Sequence, residues 1–369
     1  MLLDEPSNNL DDDARTLLVR LLAGRSGGAI VVSHDRALLR SMDRIVELSA
    51  NGARSYGGDH AFYIEQRALE RAAAERALAG AERDEKRIAR ERQEARERQQ
   101  KRDARGQRAR TRNDQPRIVQ GLWQDASERS AARSERISER LLAQAAGTRD
   151  AARQEVERHV ALDAALPACA LDGGKRVLAF EDVDYAWPGA APLLRGIRFE
   201  IRGAERIAIV GGNGAGKSTL MRLAAGELEP TRGRIVRGAR AALLDQHATL
   251  LDRAGSVLDN FRRLNPDDDK TACRTALARF LFRTDAARKR VADLSGGEIL
   301  RAALACVLGG RRPPQWLILD EPTNHLDLDA IAAIESALAG YDGALLVASH
   351  DEDFLAALGI ERRIELRRT

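Results

Sequence analysis

The stretch that decides the fold runs Arg206-Ile207-Ala208-Ile209-Val210, then Gly211-Gly212-Asn213-Gly214-Ala215-Gly216, then Lys217-Ser218-Thr219-Leu220. The apolar run before the glycines reads as a buried strand. Gly211 to Gly216 reads as a turn, and Ser218 to Ala225 as a helix. Strand, turn and helix in that order are the setting that the pattern G-x-x-x-x-G-K-[ST] requires. Its glycines let backbone N–H groups close around phosphate oxygens, and the helix N-terminus adds positive potential. Lys217 is expected to reach the β- and γ-phosphates. The Ser218 hydroxyl is suited to ligate Mg²⁺, and Thr219 completes the expected set from Gly211 onward.

The chain carries an internal repeat. Leu3 to Leu39 matches Leu319 to Leu355 without a gap at an offset of 316, with 18 of 37 positions identical. Asp4-Glu5-Pro6 matches Asp320-Glu321-Pro322, and Ser33-His34-Asp35 matches Ser349-His350-Asp351. Around the second copy, short apolar runs alternate with helical patterns. Trp316 to Leu319 reads as a buried strand, and Ile197 to Ile201 and Arg234 to Leu244 read as antiparallel strands. This alternation predicts an α/β fold with a mixed sheet.

Chemistry follows the same order. Leu294-Ser295-Gly296-Gly297-Glu298 precedes a helix. Leu317-Ile318-Leu319-Asp320-Glu321 then places two carboxylates at a strand end. Asp320 is suited to hold Mg²⁺ through water, and Glu321 to polarise an attacking water as general base. Asn324-His325-Leu326-Asp327 comes next. After a further buried strand, His350 is placed to contact the γ-phosphate and the water. Lys217, Glu321 and His350 are the expected catalytic set.

Between the two copies the composition changes. Residues 59–160 have almost no Gly or Pro and are rich in Arg, Glu, Gln and Ala, which are strong helix formers. The breakers cluster at Gly106, Asn113-Asp114 and Pro116, which predicts two long helices folded back on each other, each of roughly 45 residues. Leu69, Leu78, Ile88, Leu122, Ile137, Leu141 and Val156 form the expected thin apolar seam. Over 86–112 there are 12 basic against 4 acidic residues, so the tip from Lys101 to Arg117 is basic although the whole chain is only +4.

These motifs in this order resemble the ATP-binding cassette ATPase family across about 177–369, with a remnant over 1–50. The resemblance implies a P-loop NTPase cassette that binds ATP and Mg²⁺. It also places Gln246 as a Mg²⁺ ligand and an aromatic on adenine, Trp187 or Tyr185. Ser295, Gly296, Gly297 and Glu298 resemble the signature that closes on an ATP held by a facing cassette. Both Asn-x-Leu-Asp loops and the charged helical linker resemble the ABC-F subfamily of ribosome-associated ATPases. There the linker reaches toward rRNA and P-site tRNA, and arginines on a rigid hairpin suit phosphate contacts without base readout. The alternative within the family is the ATP-binding subunit of a transporter.

The expected organisation is a first-cassette remnant over 1–58, a helical linker over 59–172 and a complete cassette over 173–369. Glu5 and His34 then lack a P-loop beside them, and the chain reads as a truncated product. Its cassette would need the missing half or a second copy as partner, and residues 1–50 should lack neighbouring strands. No apolar run approaches the roughly 18–20 residues of a membrane-spanning helix. The opening Met-Leu-Leu-Asp-Glu-Pro does not read as a signal peptide. Cys169, Cys273 and Cys306 are too scattered for a disulfide framework or a zinc site. A cytoplasmic protein with reduced thiols is expected.

Overall fold

The computed structural model describes residues 1–8, 10, 12–49, 52–110, 117–158, 166–245, 248–324 and 326–366. The chain divides into two compact units, Met1–Ala61 with Ala161–Thr369, and Phe62–Val160. In the first unit the N-terminal copy of the repeat supplies β1 (Leu2–Asp4), α1 (Asp12–Ala23), β2 (Ile30–Val32), α2 (Arg36–Leu39), β3 (Arg44–Ser49) and β4 (Gly52–Gly57). Two long helices follow, α3 (His60–Arg110) and α4 (Arg117–Arg158). The rest of the first unit begins with β5 (Arg176–Ala186), β6 (Pro192–Arg202), β7 (Arg206–Val210), α5 (Lys217–Ala225), β8 (Arg232–Arg237) and β9 (Ala241–Leu244). It continues with α6 (Val257–Leu264), α7 (Lys270–Arg279), α8 (Gly296–Leu308), β10 (Trp316–Asp320), α9 (Leu328–Ala339), β11 (Ala344–Ala348), α10 (Glu352–Ala357) and β12 (Arg362–Glu365).

The central sheet is parallel, in the order β12-β7-β11-β10-β9. The inner strands β10 and β11 are apolar on both faces because both faces are covered. Leu317, Leu319, Leu345 and Val347 point into a core shared with α6 to α10. Trp316, Ile318, Leu346 and Ala348 point into a second core, made with α5 and the antiparallel sheet β6-β5-β8. All three cysteines are free and buried. Burial pushes the Cys306 thiol, inside α8, up to about 12, so it is an inert core group.

One expected strand differs. Arg234 to Leu244 is not a single antiparallel strand. β8 pairs antiparallel with β5, whereas β9 pairs parallel with β10. The break falls at Gly238, where an added Cβ would lie 2.0 Å from the Arg176 carbonyl oxygen. The chain passes there from one sheet to the other, at a contact only glycine permits.

The repeat is also a repeat of structure. α1 and α9 correspond residue for residue at the offset of 316, and Leu2 pairs with Ile30 as Ile318 pairs with Leu346. The surroundings differ. Ile318, Leu346 and Ala348 are fully buried, whereas Leu2, Ile30 and Val32 are 78%, 67% and 52% exposed. β1 and β2 form a two-stranded sheet, as expected for strands without neighbours. The N-terminal copy is held to the C-terminal one by charged pairs. Arg36 donates to both carboxylate oxygens of Glu335 at 2.6 and 3.2 Å, and Arg40 pairs with Asp353.

In the second unit, α3 runs through Gly106 as a 51-residue helix, and α4 has 42 residues. They are antiparallel, since Arg92 meets Glu139 at 3.0 Å and Arg149 meets Glu85 at 2.9 Å. The expected apolar seam is thinner than its residue pattern. Leu69, Ile137 and Leu141 are exposed, while Leu78, Ile88 and Val156 are half-buried. Side chains at Leu122 and at most of the Lys101–Arg117 tip lie outside the described residues. Pairs four residues apart, such as Arg71–Glu75 and Arg90–Glu94, line α3. Each contributes only about 0.3–0.5 kcal/mol.

His60, in the first unit, supplies a stability test. It is buried, and burial lowers its pKa, aided by Arg36 and Arg40 and opposed by Asp353 and Asp59. The unfolded chain therefore takes up the proton first as pH falls. Stability is full above the ordinary histidine pKa of about 6.5 and declines below it, by at most about 1.4 kcal/mol per pH unit. Denaturant titrations between pH 7 and 5 should show this slope, and His60→Gln should flatten it.

Candidate active site

β7, β10 and β11 are adjacent and parallel, so their C-terminal ends open on one edge of the sheet. Ligands of open α/β sheets bind outside such ends. After β7, Gly211, Gly214 and Gly216 take φ values of 151°, 79° and 98°. At Gly211 an added Cβ would meet the Leu366 carbonyl oxygen at 2.5 Å. α5 starts on Gly216 with no side-chain cap. By contrast, Ser256, Asp269, Ser295, Asp327 and Asp351 cap α6, α7, α8, α9 and α10 with their side chains. The first N–H groups of α5 therefore face a pocket, which is the arrangement that receives an anion.

Lys217 is the first residue of that helix, and its side chain is only 9% exposed. Its Nζ donates to the Gly211 carbonyl oxygen at 2.8 Å and lies 2.8 Å from His350 Nε2. The Glu321 carboxylate is 3.8 Å from Nζ and 3.4 Å from His350 Nε2. Glu321 follows β10 with φ of 47°, a left-handed conformation that is costly for a residue with a Cβ. Its N–H donates to the Ala348 carbonyl oxygen at 2.9 Å, which turns the carboxylate off the strand end toward the glycine turn. Burial pushes the Glu321 carboxyl above the ordinary range, against the pull of His350 and Lys217.

Asp320 is half-buried at the end of β10, and its buried Oδ1 makes no hydrogen bond. Burial raises its pKa as well, with Ser218 and Lys217 drawing it back. An orphaned carboxylate oxygen beside a hydroxyl is a donor set that fits a hard cation such as Mg²⁺. The third expected ligand, Gln246, lies outside the described residues.

The resulting pocket has a volume of about 440 Å³. It is lined by Gly212, Asn213, Gly214, Gly216, Lys217, Ser218, Thr219, Glu321 and His350, with Leu193 and Asn324. Leu10 and Arg15, from the N-terminal copy, complete it. Reading the sequence motif by motif misses Arg15. The available signal is its mismatch within the repeat, where the corresponding residue is Ile331.

Other expected residues stand elsewhere. Ser295 is exposed and forms a reciprocal cap with Glu298, accepting from the Glu298 N–H at 3.3 Å while its own N–H donates to the Glu298 carboxylate at 2.9 Å. Gly296 and Gly297 open α8 beside them, and none of the four lines the pocket. Tyr185 is buried in the core, whereas Trp187 is 40% exposed with the Arg222 guanidinium 5.9 Å over its ring. Neither aromatic lines the pocket. Glu5 and His34 repeat the geometry of Glu321 and His350 at the same 3.4 Å, with φ of 43° at Glu5. They line a neighbouring cavity of about 480 Å³ instead.

Residues 194–324 match the family described as ABC transporter. That stretch is similar to an ATP-binding cassette domain. Among its curated relatives, the ATP-binding protein YdiF of Bacillus subtilis (strain 168) is 33% identical over 358 residues, covering 96% of this chain and 50% of YdiF. The tylosin resistance ATP-binding protein TlrC of Streptomyces fradiae is 32% identical over 363 residues, covering 95% of this chain and 61% of TlrC. Both relatives are of the ABC-F type. The chain spans about half the length of the curated relatives it matches. Among solved structures, cbiO1 from Clostridium perfringens, part of the ABC transporter complex cbiONQ, is 28% identical with a TM-score of 0.41. The match covers 49% of this chain and 81% of cbiO1. No helix among the described residues is long and apolar enough to cross a membrane.

The glycine turn is testable by stability alone. Gly211→Ala should destabilise the cassette by about 1–3 kcal/mol in denaturant titration, because it combines a strained φ with a clash on the Leu366 carbonyl. A change within about 0.5 kcal/mol would contradict the described backbone.

Proposed function

We propose that the chain binds ATP with Mg²⁺ and hydrolyses it at the pocket around Lys217, as an ABC-F-type ATPase that works as a conformational switch on ribosomes in the cytoplasm. The observation that carries this reading is the convergence of Lys217 Nζ, Glu321 and His350 within 3.8 Å at an uncapped helix N-terminus. Backbone N–H groups from Gly212 to Lys217 and the Lys217 ammonium grip the β- and γ-phosphates. Ser218 and Asp320 would hold Mg²⁺, which supplies charge neutralisation on the phosphates when bound. Glu321 orients a water for in-line attack on the γ-phosphorus and accepts its proton. The upward pKa shift from burial makes Glu321 a stronger base than an exposed carboxylate. The His350 imidazole contacts the γ-phosphate and helps hold that water.

On this reading residues 1–58 are a first-cassette remnant, 59–172 a linker arm and 173–369 a complete cassette. The Ser295-Gly296-Gly297-Glu298 cap serves a facing cassette, supplied by a longer protein or by a second copy. The ribosomal role is supported by the ABC-F type of the relatives, one of them named for tylosin resistance. It is supported also by the basic bias over 86–112, which suits rRNA and tRNA phosphates.

Glu321→Gln should lower ATP hydrolysis by at least about 100-fold. The same variant with ATP should co-sediment with ribosomes, and neutralising the basic residues from Lys101 to Arg117 should release it. Hydrolysis unchanged in Glu321→Gln would remove the catalytic assignment. Pelleting with membranes instead of ribosomes would favour the ATP-binding subunit of a transporter.

A further inference from the structure

Arg15 stands where the two copies of the repeat meet. It belongs to α1 of the N-terminal copy, yet it lines the pocket that holds Lys217, Glu321 and His350. Its Nη1 donates to the His350 carbonyl oxygen at 3.1 Å, and its Nε lies 3.5 Å from the Asp35 carboxylate. That Nε is buried and makes no hydrogen bond. The guanidinium therefore ties Asp35, which follows His34, to the turn that carries His350.

Packing of the repeat does not call for a cation here. At the offset of 316 the matching residue is Ile331, only 2% exposed in the core of the C-terminal copy. Arg15 is instead largely buried, with a side chain 20% exposed. Ordering and desolvating an arginine is unfavourable unless its bonds compensate. The bond it makes fixes the backbone of His350, whose ring stands 2.8 Å from Lys217 Nζ and 3.4 Å from Glu321. At such distances a shift of an ångström in that turn removes both contacts. The Asp35 end is itself anchored, since Asp35 Oδ1 accepts from the Ala37 and Leu38 N–H groups at 2.9 and 3.2 Å.

We propose that Arg15 is a positioning residue through which the N-terminal copy holds His350 in register with Lys217 and Glu321. Its catalytic consequence rests on the hydrolase reading above, whereas the clamp itself does not.

The test compares the full chain with Arg15→Ile, the residue of the matching repeat position, and with Arg15→Lys, which keeps the charge. Amide hydrogen exchange without nucleotide should quicken about tenfold over residues 349–354 in Arg15→Ile and stay near the parent in Arg15→Lys. Slow exchange of β10 and β11 in both variants checks that the sheet is intact. In steady-state hydrolysis, kcat should fall about tenfold in Arg15→Ile with KM for ATP within about twofold, and Arg15→Lys should recover much of it. Exchange over 349–354 unchanged in Arg15→Ile would overturn the clamp, whatever the rate did. A parent chain no faster than Glu321→Gln would overturn the hydrolase reading and leave the exchange measurement to decide the clamp.

Discussion

The site depends on a buried ammonium whose neutralisation is incomplete. Lys217 Nζ is fixed by a carbonyl oxygen and an imidazole nitrogen at 2.8 Å, but its ion pair with Glu321 is long at 3.8 Å. A cation withdrawn from water at the mouth of an uncapped helix raises the potential of the pocket. Polyanionic phosphate is what such a pocket favours. Burial holds the Glu321 and Asp320 carboxyls above their ordinary range, and the Asp320 Oδ1 without a hydrogen bond suits a metal ion.

The repeat separates what local sequence dictates from what the surroundings add. Asp-Glu-Pro and Ser-His-Asp produce the same left-handed glutamate, the same 3.4 Å approach to histidine and the same serine-capped turn in both copies. Desolvation is not the same. Glu5 and His34 are 27% and 44% exposed at the side chain, against 15% and 9% for Glu321 and His350. Among the described residues, only the second pair has a glycine turn and a lysine beside it. The dyad is thus a local motif, and its chemistry is set by what packs around it.

The parallel strands around the glycine turn were legible because short, fully apolar runs bounded by turn residues carry their own boundaries. The split of Arg234 to Leu244 was not legible, since an apolar run does not say which sheet it joins. Gly238 makes that choice through a backbone contact with Arg176. Helix propensity placed the two long helices, and an isolated glycine costs a helix only about 1 kcal/mol, so Gly106 did not interrupt α3. Residue type does not say which apolar positions they bury, since Leu69, Ile137 and Leu141 are exposed while Arg92–Glu139 and Arg149–Glu85 bridge the two helices. Arg15 was invisible to motif reading because its partner is 335 residues away.

The affinity of the full chain for ATP with Mg²⁺, measured calorimetrically against Lys217→Ala, tests whether this ammonium grips a nucleotide phosphate. Saturable binding that is lost by at least about tenfold in the variant is the predicted result, since one charge-assisted contact to phosphate is worth about 1.5–3 kcal/mol. No measurable heat of binding in the parent chain, or equal affinity in Lys217→Ala, would contradict a phosphate site at Lys217.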